Sequence, residues 1–254
     1  MESKPSKPWA DTPYPLVPTP SVTRPLKTSH YCVTVATEMA HAHNTFIRAL
    51  NAIYNQAPNV TEPADIKDFL FYCNCWYKTV EHHHNYEETV FFPEVERIAK
   101  KPGLMQQNVE QHHAFHPGFH RFRDFSEQTV PEKYDATVLR GIMDDFSMIL
   151  SNHLAGEIDT LLSLTDCDEK ELKKAWKTLE KKVLESADKY TVFPLAFGCV
   201  DDTYENGFHK GAFPPTPWFV AYLIKYWFER RYSGTWRFSP CDGFGRPRPL
   251  MFLE

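Results

Sequence analysis

Between about Ser29 and Leu164, four stretches repeat apolar side chains at spacings of three and four residues, and every one of those stripes runs into a histidine. Such spacing places side chains on one face of a helix. In the first stretch Met39, His43, Phe46, Leu50 and Ile53 align, and the segment Pro58 to Pro63 ends it. The second aligns Ile66, Phe69, Cys73, Trp76, Val80, His83, Glu87 and Val90, so its inward stripe changes from apolar to His and Glu. The third, after Lys101-Pro102-Gly103, aligns Met105, Val109, His112, His116 and Phe119. The fourth, after Pro131, aligns Leu139, Ile142, Phe146, Ile149, His153 and Glu157. Short connections force neighbouring helices to run antiparallel, so the pattern predicts an all-α fold, an up-down-up-down four-helix bundle.

The flanks read differently. Residues 1–27 hold seven prolines, which deny regular backbone pairing and predict an extended N-terminal arm, disordered or laid over the surface. The bundle is expected over 28–165, and 166–254 forms a C-terminal extension packing on it. Within the extension, Asp168 to Ser186 predicts a fifth amphipathic helix with Leu172, Trp176, Leu179 and Val183 on one face. Beyond Tyr190 the chain is rich in aromatics and proline, with a short helix expected near Pro217 to Arg231.

With 254 residues, 42% of them apolar and 24% charged, the chain can bury one substantial core. Its net charge of −5 creates no field that would draw it to nucleic acid or an anionic membrane, so neither is expected as a partner. The longest apolar run, Pro217 to Phe228, contains Lys225 and is too short to cross a bilayer. Six scattered cysteines form neither a zinc CxxC pattern nor a disulfide framework, and no secretory leader opens the sequence, so a cytoplasmic location is expected.

Ionisable groups pointing into a helical core are costly unless something offsets their desolvation, and a bound cation is the simplest remedy. A lone inward histidine is commonly a hydrogen-bonded core residue, but histidines from four helices at matching depth are harder to obtain by accident. His83 with Glu87, His112 with His116, and His153 with Glu157 are i, i+4 pairs, and His43 adds a ligand from the first helix. This set of five imidazoles and two carboxylates, without a thiolate, exceeds one tetrahedral zinc and suits two first-row ions of higher coordination number. Two iron ions are the first choice, with manganese or zinc as alternatives. Two registers remain open: His84 and Glu88 compete with His83 and Glu87, and His113, His116 and His120 form a face competing with that of His112.

At these residues the sequence resembles the hemerythrin-like (HHE cation-binding) family. The matching elements are His43 with Phe46 and Leu50, the phrase His83-His84-Asn85-Tyr86-Glu87-Glu88 leading into Phe91-Phe92-Pro93, the pair His112 and His116 followed by Phe119, and His153 with Glu157. The resemblance implies that Glu87 and Glu157 bridge two irons, that His112, His116 and His153 serve one, and that His43 and His83 serve the other. The extension resembles that of fungal hemerythrin-like proteins. Where the oxygen carriers of the family have an aspartate five residues after the fourth-helix histidine, this chain has Ile158. Pro117-Gly118, directly after His116, is expected to kink the third helix. Two functions follow as expectations: a di-iron protein that activates dioxygen and oxidises a small organic substrate, or a non-enzymatic protein that binds, senses or stores oxygen or iron.

Overall fold

The computed structural model describes residues 8–20 and 29–253, so part of the expected proline-rich arm lies outside the described residues. Among the described residues the chain forms helices and turns without a strand. Helix α1 (Tyr31–Gln56) is followed by α2 (Pro63–Tyr86), which runs through a π-turn (Glu87–Phe91) into α3 (Phe92–Ala99). After a connection at 100–105 come α4 (Gln106–Gln128), α5 (Ala136–Asp144) and α6 (Ser147–Leu162). The first helix packs against the second and the fourth rod (α5–α6), and α4 packs against the same two, closing the ring of a four-helix bundle.

The apolar stripes explain the packing, with two corrections. Met39, Phe46, Leu50 and Ile53 of α1 and Ile66, Phe69, Cys73, Trp76 and Val80 of α2 are all buried. The fourth rod breaks at Phe146, whose ψ of −24° and φ of −129° leave the helical region. The break resets the helical phase, so Leu150 turns inward and Ile149, expected in the stripe, is exposed. In the second rod the π-turn inserts one residue, so Phe91 rather than Val90 enters the core. Helix α4 continues through Pro117, which sits on its exposed face. Gly118 beside it is required by proximity: a Cβ there would lie 2.8 Å from that of Phe146.

An aromatic layer locks the middle of the bundle. Trp76 packs edge-on against Phe119 and Phe122, with ring centroids 5.6 and 5.1 Å away, and its indole N–H donates to the Phe46 carbonyl at 3.0 Å. Removing a ring buried this completely costs about 3–5 kcal/mol.

Both flanks lie on this bundle. Residues 8–20 of the arm are held by an asparagine row on α1. Asn44 exchanges hydrogen bonds with the backbone of Val17, and Asn51 accepts from Tyr14 N–H and donates to the carbonyls of Ala10 and Tyr14. In the extension, Asp168 caps α7 (Glu169–Ser186) by accepting from the N–H groups of Lys170 and Glu171. Leu172, Trp176 and Leu179 of α7 are buried and Val183 is half-buried. Then follow α8 (Val192–Phe197) and, at 219–232, α9 (Phe219–Leu223) with a π-turn and a 3₁₀ turn. No helix among the described residues is long and apolar enough to cross a membrane.

Candidate metal centre

The bundle brings His43 from α1, His83, His84 and Glu87 from the second rod, His112 from α4, and His153 and Glu157 from α6 to one depth. Ligand atoms of His84, Glu87, His112 and His153 all lie within 4.8 Å of one another, as do those of His43, His83 and Glu87. Glu87 belongs to both groups. Glu157 stands beside it, with one carboxylate oxygen 3.4 Å from His43 Nε2 and its carboxyl against that of Glu87.

Six of the seven residues expected from the sequence therefore meet, and His116 does not. The buried face of α4 runs through Asn108, His112, Phe115, Phe119 and Phe122, stepping three residues after His112 rather than four. Phe115 thus occupies the inward position, and His116 turns aside to stack on His120 with ring centroids 5.3 Å apart. The place expected of His116 is taken by His84, whose ring lies 4.4 Å from that of His112 and 5.2 Å from that of His153. His83 and His84 need not compete. They stand four and three residues before Glu87, so both flank its face of the helix. That double register was the available signal. Nothing in the sequence singles out Gln111, which the structure makes part of the site.

Outer contacts orient the rings. His43 Nδ1–H donates to the Leu154 carbonyl at 2.8 Å, His112 Nδ1–H to the Glu88 carboxylate at 2.6 Å, and His153 Nδ1–H to the Gln111 side-chain oxygen at 3.1 Å. In each case the donated bond settles the tautomer and leaves Nε2 as a lone pair pointing inward, the arrangement that metal-binding histidines use. Those inward nitrogens crowd together. His112 Nε2 and His153 Nε2 are 2.9 Å apart, and His43 Nε2 and His83 Nε2 are 3.3 Å apart.

Burial sharpens the point. Desolvation pushes His43, His84 and His153 well below the usual imidazole range, His83 down to about 3 and His112 to about 4, so these rings are neutral. Burial pushes Glu87 and Glu157 well above the usual carboxyl range, helped by the charge of Glu88 on Glu87 and that of Glu87 on Glu157. Although Glu87 Oε1 is 2.7 Å from His83 Nε2, none of the four carboxylate oxygens takes part in a well-formed hydrogen bond. Neither ring nitrogen of His84 does either. Buried polar atoms left this way cost about 1–3 kcal/mol each. Cations among them would satisfy the carboxylate oxygens and one nitrogen of His84, and the donor set, nitrogen and oxygen without sulfur, suits first-row metals. The residues fit a metal centre.

One side of the cluster meets a half-open apolar cavity of about 270 Å³ between the bundle and the extension. His83 and Phe46 form part of its wall, and the extension contributes Trp176, Phe193 and Phe213. Whereas His43, His84, His112 and His153 are buried, His83 keeps 14% of its side chain accessible.

Comparison with known sequences agrees with this reading of the site. The sequence model of the family described as "Hemerythrin HHE cation binding domain" matches residues 34–165, which include every residue of the cluster. The dimeric xanthone biosynthesis cluster protein R11 of Cryptosporiopsis sp. (strain 8999) is 42% identical over 248 residues, covering 97% of this chain and 94% of that protein. That similarity therefore extends through the arm and the extension. No solved structure matches.

Proposed function

Because the chain belongs to the hemerythrin HHE cation-binding family, we propose that it holds two iron ions and uses dioxygen to oxidise a small apolar organic molecule. The observation that carries this reading is the apolar cavity that reaches the site at His83. A simple binder of oxygen needs room for a diatomic molecule, whereas about 270 Å³ approaches the size of pockets that enclose organic ligands.

His84, His112 and His153 would hold one ion, His43 and His83 the other, with Glu87 and Glu157 between them. Bound iron would supply the redox chemistry that lets dioxygen react with an organic molecule. The chain's own residues supply the rest. The Leu154 carbonyl, Glu88 and Gln111 hold the rings in place. Phe115 and Phe92 pack against His112 and exclude water from the closed side. With one imidazole fewer, the His43 and His83 side leaves room for an exogenous ligand, and that side faces the cavity. The name of the similar protein places it in a dimeric xanthone biosynthesis cluster, and xanthones are flat fused aromatics of the kind an apolar chamber accommodates.

The test is anaerobic reconstitution of the metal-free protein with ferrous iron, followed by oxygen exposure with and without aromatic substrates. The reading expects about two irons per chain, with oxygen uptake and substrate loss coupled. Reversible oxygenation with no substrate consumed would instead establish an oxygen- or iron-binding protein. About one zinc and no iron in protein from the native host would overturn both.

A further inference from the structure

The cavity beside His83 is not uniformly apolar. Two of its three threonines have their hydroxyls engaged by backbone, Thr45 donating to the Ala42 carbonyl at 2.7 Å and Thr79 to the Cys75 carbonyl at 2.8 Å. His82 is engaged by Ser186 at 2.8 Å. Two carboxyl groups, Glu38 and Glu180, nevertheless line the same cavity. Trp176 Nε1–H donates to Glu38 Oε2 at 2.6 Å, Glu180 stands near enough for its charge to act on Glu38, and Lys177 pairs with Glu180 at 2.6 Å. Burial, opposed by the Trp176 hydrogen bond, raises the Glu38 carboxyl above its usual range. With Lys177 balancing Glu180 and the Trp176 N–H on one oxygen of Glu38, the pair still offers oxygen lone pairs to a hydroxyl donor.

The polar end and the metal end are separated along α1. His83 packs on Phe46, with ring centroids 4.9 Å apart, and on His43 at 5.3 Å, whereas Glu38 lies five to eight residues earlier on that helix. At 1.5 Å per residue the separation is roughly 7–12 Å. An apolar cavity of about 150 Å³ holds one benzene ring, and this one is close to twice that size at about 270 Å³. Length and volume agree on two or three fused rings.

Resting on the oxidative reading above, we propose that the cavity binds a flat phenol of two or three fused rings. Its hydroxyl is held by Glu38 and Glu180, and its opposite edge is presented to His83. Glu38 is a positioning residue: it touches the end of the molecule remote from the metal ligands and decides which ring edge reaches them.

Calorimetric titration of the full-length protein under nitrogen tests this, in metal-free and metal-loaded forms, with 2-naphthol, its methyl ether 2-methoxynaphthalene, and dodecanoate as a flexible apolar probe. We expect 2-naphthol to bind about tenfold or more tightly than the ether, as loss of a buried hydrogen bond implies. The preference should shrink to under about threefold in Glu38→Ala with metal content unchanged, and Ala196→Trp, which fills the cavity, should abolish binding of both aromatics. Equal binding of phenol and ether, tighter binding of dodecanoate, or an undiminished preference in Glu38→Ala would overturn the proposal. Binding as expected without oxidation would overturn the oxidative reading alone. Oxidation of aromatics whose affinity and product position ignore Glu38 would overturn this inference alone.

Discussion

The two halves of the metal cluster use the same residue types and differ in what surrounds them. His84, His112 and His153 sit fully inside the bundle, walled by Phe115 and Phe92. His43 and His83 draw on the same shared carboxyl of Glu87, yet His83 borders a cavity to which the extension adds an outer wall. Residue types alone therefore do not separate a closed half of the cluster from one that borders a cavity. What distinguishes them is the packing on the far side of each ring. A third imidazole and a phenylalanine wall make one half a closed grip. The other half lacks the third imidazole, and its own phenylalanine, Phe46, shares with His83 the wall of the cavity.

The strongest way to break this comparison is to remove what both halves share. Glu87→Ala should reduce metal content from about two ions per chain to near none, measured by metal analysis. Chelation of the intact protein should lower its melting temperature by roughly 8–16 °C, because an ion at a thousandfold excess over its dissociation constant contributes about 4 kcal/mol. A melting temperature unchanged by chelation would show that the buried carboxyls do not depend on a cation. Substitutions confined to one half should separate the two. His153→Ala or His84→Ala should lose the ion of the closed half, while His83→Ala should retain that ion and lose oxygen-dependent substrate oxidation. Equal behaviour of these variants would collapse the distinction.

Smaller effects sharpen it further. Glu88→Ala frees the His112 ring and should weaken binding at the closed half by about 10–100-fold, read by competition with a chelator. Acid should destabilise the metal-free protein. The imidazoles sit below their ordinary 6.5, so the unfolded chain takes up protons that the folded one refuses, and their contribution, full above that value, is lost as pH falls toward about 4 and 3. Glu87 and Glu157, raised above 4.5, act in the opposite sense, favouring the folded state as pH falls toward that value. Between 6.5 and 4.5 the cluster's imidazoles outnumber its carboxyls, so melting temperature should decline on acidification, and a rise would contradict the burial described. His116→Ala should be the mildest change, altering metal affinity by no more than about twofold, as expected for a side chain outside the cluster.

Much of this was legible in the residues, for identifiable reasons. The 3-and-4 spacing of Met39, His43, Phe46 and Leu50, and of Phe69, Cys73, Trp76 and Val80, reports directly which helix face is buried, because helical geometry is local. Spacing fails where the helix departs from 3.6 residues per turn. The π-turn at Glu87–Phe91 and the break at Phe146 each shift the phase, which is why Val90 and Ile149 read as inward when Phe91 and Leu150 are. On α4, i+3 and i+4 continuations from His112 are both compatible with the pattern, and only the neighbouring helices select Phe115 over His116.

The four rods, their order, and the depth at which histidine and glutamate enter the core all follow from periodicity within single helices. Which ring fills each inward place depends on the facing helices: His84 packs against His112 and His153, Phe115 rather than His116 is buried beside His112, and Gln111 partners His153. Tertiary structure also decided the cavity. Glu38, Trp176 and Phe213 are scattered over 175 positions of chain and acquire a common role only when the extension folds back onto α1 and α2. Contacts between distant segments depend on how surfaces meet, and no spacing within a segment encodes that.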